Sequence, residues 1–158
     1  MKTLAVTVRE SGEGEQRWFC GGGLITWKAT ADDTGGVFLL FEDQMDAGKV
    51  TPMHLHPTTD ETFYLLEGDI LLDVDGEQRS LGAGGVAVIP RGVPHAFMVT
   101  SPVVRMLCFQ TPGNNEAFYR LASEPVIAGG PAAAVDFGRI RAAAEQTGAI
   151  EILGPPPF

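Results

Sequence analysis

Six short apolar runs, separated by glycine- and proline-rich turns, most narrow the folds open to this chain. VFLLFED, TFYLLEG, DILLDVDG, VAVIPRG, AFMVT and VVRMLCFQ lie between residues 37 and 110. Each has the length of one β-strand. Several are apolar on both faces, as expected where a sheet packs on a second sheet or on another subunit. Asp75-Gly76, between two extended segments, signals a tight hairpin. Regular short strands with turns between them predict an all-β sandwich or barrel. The 158 residues are 44% apolar and 20% charged, which suits one globular domain with its own core.

After Gly113 the pattern changes. NNEAFYRLASEP reads as a short helix, with Asn114 or Asn115 as N-cap, Glu116 in the first turn and Pro125 beyond its end. DFGRIRAAAEQTG reads as a second, capped by Asp136 and ended by Gly148. Its alanines leave a thin apolar face, so it is expected to lie on the β-core rather than build a separate domain. AIEILGPPPF closes the chain as a short extended piece and a proline stop. The organisation expected is one domain over 1–158, with a core at about 36–112 and a helical extension at about 113–158.

Eleven basic against twenty acidic residues give a net charge of −9, which disfavours nucleic acid and anionic membrane surfaces as partners. No run approaches the length of a membrane span, and the start, MKTLAVTVRESGEGE, lacks the apolar stretch of a secretion signal. A cytoplasmic protein is expected. Cys20 and Cys108 then read as two buried free thiols. Trp18 and Trp27 read as structural.

Two of the chain's three histidines fall in TPMHLHPTTDET. Alternate residues of a strand share a face, so His54 and His56 point the same way and can grip one ion from one side. After the PTTD turn, Glu61 opens the next strand, and an antiparallel neighbour would return it beside the histidines. His95, in IPRGVPHAF, again starts a strand after a proline–glycine turn. Imidazoles and a carboxylate on a rigid sheet suit one divalent transition metal, and a mixed N/O site accepts Fe, Mn, Co, Ni, Cu or Zn.

These residues carry a resemblance to the cupins. Gly48, His54, His56, Glu61 and Gly68 fill every fixed place of the first cupin motif, G-x5-H-x-H-x4-E-x6-G. Gly84, Pro90, Gly92 and His95 match the second, G-x5-P-x-G-x2-H-x3-N, in which Val99 stands where asparagine is usual. The resemblance implies a cupin double-stranded β-helix, or jelly-roll barrel, with one or two short C-terminal helices. It implies His54, His56, Glu61 and His95 as the metal ligands. The four glycines would sit at strand-linking corners where φ is positive. The flanking segments, from GEGEQRWFCGGG to EILGPPPF, are similar to the quercetin 2,3-dioxygenase-like (quercetinase-like) cupins. That likeness points to oxygen chemistry without naming a substrate.

If Glu61 and His95 point inward, so do Phe63, Leu65, Phe97 and Val99, with Met53 and Met106 nearby. The expected cavity is apolar, partly aromatic and poor in charge, fit for a flat apolar or aromatic small molecule. Three functions follow in order. The first is a dioxygenase of a flavonol-like or other aromatic or enolic hydroxyl compound, an oxidoreductase in which Glu61 takes the substrate's proton. The second is a non-redox isomerase, lyase or cyclase using the metal as a Lewis acid. The third is a metal- or ligand-binding cupin without turnover. YLLEGDILLDV and VAVI carry more apolar surface than one small barrel can bury, so a homodimer is expected.

Overall fold

The computed structural model describes residues 3–158. In chain order the first elements are β1 Gln16–Phe19, β2 Leu24–Ala29, α1 Ala31–Thr34, β3 Leu39–Asp46 and β4 Met53–Leu55. Then come β5 Asp60–Glu67, β6 Asp69–Val74, β7 Glu77–Gly82, β8 Val86–Ile89, β9 His95–Val99 and β10 Val103–Thr111. The last are α2 Glu116–Leu121, β11 Ser123–Pro125, α3 Phe137–Thr147 and β12 Glu151–Gly154. All six apolar runs are strands. Among the described residues no helix is long and apolar enough to cross a membrane.

The strands form two antiparallel sheets of a jelly-roll sandwich. One has the order β11-β1-β2-β3-β10-β5-β8 and the other β12-β4-β9-β6-β7. The two-residue period of the strands sets what lies between them. On β3, Leu39, Phe41, Asp43 and Met45 are buried; on β10, Val104, Met106, Cys108 and Gln110 are. Each large apolar side chain so buried contributes about 1.5–3 kcal/mol. Trp27 is 1% exposed and packs edge-on against Phe41 and Tyr119, with ring centroids 5.4 and 6.1 Å away.

The turns obey their sequences. Asp75 and Gly76 both have positive φ, 52° and 83°, and join β6 to β7 in a two-residue hairpin. The four motif glycines also have positive φ, and at Gly68 a Cβ would collide with the Val103 carbonyl. The side chain of Asp136 accepts from the Arg139 amide and Gly148 closes α3 in the left-handed conformation. At the head of α2 the local signal is overridden. Asn115 holds the N-cap position, yet its side chain makes no cap bond. It is turned into the sandwich instead. The short extended piece expected at the chain's end is β12, paired with β4 beside His54.

Candidate metal centre

His54 and His95 face each other across a pair of strands. His54, on β4, is the register partner of His95, on β9. His56 lies one residue past the end of β4, where its carbonyl accepts from the Gly92 amide at 2.8 Å. Glu61 does not come from a hairpin neighbour of β4, as the sequence suggested. It sits on β5, paired with β10 and β8 in the other sheet. The PTTD turn carries the chain across the sandwich, and the carboxylate meets the imidazoles from the opposite wall. The four residues are 1–8% exposed, and one potential ligand atom from each lies within 4.8 Å of the others.

The donor chemistry fits a divalent cation. His54 Nδ1 lies 2.8 Å from the Pro52 carbonyl and His95 Nδ1 lies 3.0 Å from that of Val93. A carbonyl only accepts, so each Nδ1 carries a proton and it is Nε2 that is left to offer a lone pair to a cation, at His95 once the proton it shares with Glu61 is given up. Glu61 Oε2 is 3.1 Å from His56 Nε2 and 2.9 Å from His95 Nε2. Ligands about 2.1 Å from one ion, at right angles to each other, are about 3 Å apart.

The charges agree. Burial, then the neighbouring His95 and His56, push His54 down to about 3, so it stays neutral and able to donate its lone pair. Burial alone would raise Glu61. The facing imidazoles of His56 and His95 outweigh it and hold the carboxyl well below its usual range. Burial alone would lower His95, yet its hydrogen bond and attraction to Glu61 raise it. A cation at the centre would take the place of the proton these groups share.

Behind the cluster is a buried polar chain. The Gln110 amide donates to Glu61 Oε1 at 2.8 Å and to the Tyr119 hydroxyl at 2.6 Å. The Cys108 thiol, kept protonated by burial and by Glu61, donates to the same Oε1 at 3.2 Å. Asn115 donates to Gln110 Oε1 at 3.2 Å and stands 3.3 Å from His56 Nδ1. Two of the cluster's residues, His56 and Glu61, are thus linked through Asn115 and Gln110. Gln110 had a sequence signal: it is the polar member of the inward series Val104, Met106, Cys108, Gln110. Asn115 had none, because as an N-cap it was already explained.

A cavity of about 70 Å³ opens beside His54, His56 and Glu61. That is room for a few waters or one ring-sized molecule. Phe63, Phe97 and Met106 stand in its wall, together with Phe41, Phe118 and Tyr119. Met53 and Val99 do not. Met53 alternates with His54 and so faces the other side of β4. Val99, like Leu65, packs into the apolar core. The cavity is less apolar than its strands suggested, because Asp43 and Lys49 also line it. Burial pushes Asp43 up to about 6 against the pull of Lys49, and it lowers Lys49. Asp43 had a signal of the same kind as Gln110, a carboxylate among the inward residues of β3. Phe137, Ile140 and Ile150 separate the cavity from an open groove along α3 and β12.

Known proteins supply the context. Residues 41–109 match the family model described as the cupin domain. The chain is 33% identical over 115 residues to quercetin 2,3-dioxygenase of Bacillus subtilis, an alignment covering 73% of this chain and 34% of that protein. It thus spans about a third of that relative's length. Among solved structures, KdgF from Halomonas sp. superposes with a TM-score of 0.62 at 19% identity, over 68% of this chain and 94% of that one. A sugar phosphate isomerase of the cupin superfamily from Silicibacter pomeroyi gives 0.58 at 19% identity, over 66% and 75%. All four cluster residues lie inside the family match, whereas Phe19, Phe118, Tyr119, Phe137, Ile140 and Ile150 of the cavity wall lie outside it. With its paired motifs, its two-sheet jelly roll and its buried His54–His56–Glu61–His95 cluster, this chain belongs to the cupins.

Proposed function

We propose that this cupin is a metal-dependent enzyme and that it uses dioxygen to oxidise a small aromatic or enolic hydroxyl compound. The observation that carries the reading is the placement of a buried three-imidazole, one-carboxylate cluster at the wall of a small aromatic-lined cavity. A divalent transition metal held by His54, His56, Glu61 and His95 would bind the substrate oxygen, lower its pKa and bring dioxygen to the same centre. The chain's own residues do the rest. Glu61 Oε2, facing the cluster, receives the substrate's hydroxyl proton. Gln110 and Cys108 hold Oε1 and so fix the plane of the carboxylate. Phe41, Phe63, Phe97 and Phe118 exclude water and offer ring faces to a flat ligand. The likeness to a quercetin dioxygenase supports oxygen chemistry, while the size of the cavity favours a ligand smaller than a three-ring flavonol.

A second reading is non-redox Lewis-acid chemistry, such as isomerisation. Asp43 and Lys49 favour it, because a proton acceptor and a proton donor in the same cavity suit it. An oxygen electrode separates the two. Metal-reconstituted protein is offered a panel of flavonols, catechols and small enols. The dioxygenase reading expects one O₂ consumed per substrate lost. Turnover without oxygen uptake selects the second reading. Binding without turnover leaves a ligand-binding cupin.

A further inference from the structure

Asp43 and Lys49 are a carboxylate and an ammonium in one cavity that do not touch. Asp43 is 6% exposed, and its Oδ1 is buried without a hydrogen-bond partner. Lys49 is half-buried and turns its ammonium inward, where it donates to the Gly22 carbonyl at 2.6 Å and lies 4.9 Å from the centre of the Phe19 ring and 5.9 Å from that of Phe97. One of its three donors is used, and two remain. Among the described residues the two groups form no ion pair within 4.0 Å. Burying a charge beside a partner it cannot reach is costly, and a fold gains nothing from it.

Their position relative to the cluster is fixed by register in both sheets. On β10, Asp43 is the partner of Met106 and Glu61 the partner of Gln110, four residues on. In the other sheet the Val99 amide bonds to the Lys49 carbonyl, and His54 pairs with His95, again four residues away. At about 3.3 Å per residue, both walls place the pair about 13 Å from the histidine–glutamate cluster at backbone level. The side chains of both ends line the same cavity, so the gap a ligand has to bridge is shorter than that backbone span. Of the apolar residues that line the cavity, Ile25 and Met106 are the register partners of Asp43, while Phe41 and Phe97 stand on the strands between the two ends.

We propose that Asp43 and Lys49 form a second polar pole that grips a hydroxyl group of the substrate. The ligand is then a small doubly oxygenated molecule, with one oxygen function at the cluster and a hydroxyl at the other end of an apolar skeleton. A hydroxyl is the group that can accept from Lys49 and donate to Asp43 at once. The proposal rests on reading the His54–His56–Glu61–His95 cluster as the metal centre, and it assigns specificity rather than chemistry to the second pole.

The test is binding, with protein loaded with Co²⁺ and matched phenols as probes. Calorimetry compares para-(hydroxymethyl)phenol with para-ethylphenol, and para-(2-hydroxyethyl)phenol with para-propylphenol. The parent should prefer the hydroxylated member of at least one pair by roughly ten-fold or more, the scale of a hydrogen bond to a charged group. Asp43→Asn and Lys49→Met should each bring that preference close to one, with cobalt content unchanged. Because the carboxylate is an unpaired buried charge, Asp43→Asn should also unfold at the same or a higher urea concentration than the parent. A parent that binds none of the probes, or prefers neither hydroxylated member, overturns the proposal. So does a preference that survives both substitutions, or an Asp43→Asn protein that is less stable. Failure of the metal reading is distinguishable, since cobalt would then not bind while the hydroxyl preference could still be read on the ion-free protein.

Discussion

Gln110 reaches Glu61 from the neighbouring strand, its amide donating to Oε1 at 2.8 Å while Oε2 of the same carboxylate faces two imidazoles. One side chain thus decides how Glu61 is aimed. Gln110→Met keeps the bulk and removes both hydrogen-bonding groups. Metal affinity should fall by roughly 10- to 100-fold, the usual cost of losing a ligand's supporting hydrogen bond, and a competition titration against a chelating dye would read it. Unchanged affinity would mean that Cys108 alone suffices to orient the carboxylate.

The cluster should hold about one divalent ion per chain. His56→Ala should lose most of it and remain folded, because the imidazole contributes lone pairs rather than core packing. Metal analysis with a circular dichroism spectrum reads both. Full metal content in a double His54, His56 variant would falsify the assignment of the site.

Glu61→Gln keeps the shape and a carbonyl oxygen but removes the charge and the basicity. The expected outcome is partial metal retention and turnover lower by roughly 10²-fold or more, persisting at saturating metal. Parent-rate turnover by the fully loaded variant would leave Glu61 as a ligand only and move the Lewis-acid reading ahead.

Asp33 ties the N-terminal segment to the capping box of α1. Its carboxylate accepts from Arg9 at 2.9 Å, from the Thr30 amide at 2.9 Å and from Thr7 at 3.0 Å. These partners, Arg9 first, hold its carboxyl well below the ordinary value of 3.8. A depressed carboxyl gives stability that is complete above the unfolded-state value and lost as pH falls below it. Asp33→Asn should therefore cost about 1 kcal/mol at pH near 7, and the gap between the urea midpoints of variant and parent should narrow as pH drops below about 4. A gap that is constant with pH would assign the loss to packing instead of charge.

Tyr64, Val86 and Val88 form an apolar stripe on the outer face of β5 and β8, where β8 is the edge of its sheet. Tyr64 and Val86 are register partners, 44% and 56% exposed. This is the side on which two copies of the chain should pair. Light scattering at micromolar concentration should give twice the chain mass, and Val86→Glu combined with Val88→Glu should give the mass of one chain. A parent that scatters as a single chain would refute the pairing.

The sequence by itself determined what local periodicity can encode. Short apolar runs between glycine- and proline-rich turns marked β3, β5, β6, β8, β9 and β10, Asp75-Gly76 set the hairpin, and Asp136 and Gly148 bounded α3. Residue type and the two-residue period put His54 and His56 on one face with Glu61 and His95 at nearby strand starts, and the resemblance to the cupin motifs made the four one ligand set. Tertiary structure decided which faces meet. Glu61 joins the histidines from the opposite sheet, since strand order depends on pairing between distant segments and not on neighbours in sequence. Asn115 abandons its cap because a buried imidazole and a buried amide offer it partners that no local pattern reveals. The cavity is closed by Phe19, Phe118, Tyr119 and Ile140, from segments at both ends of the chain, and the charge of Lys49 enters it from a loop without periodicity. Local sequence fixes the side to which each residue points, but only long-range packing fixes what stands there to receive it.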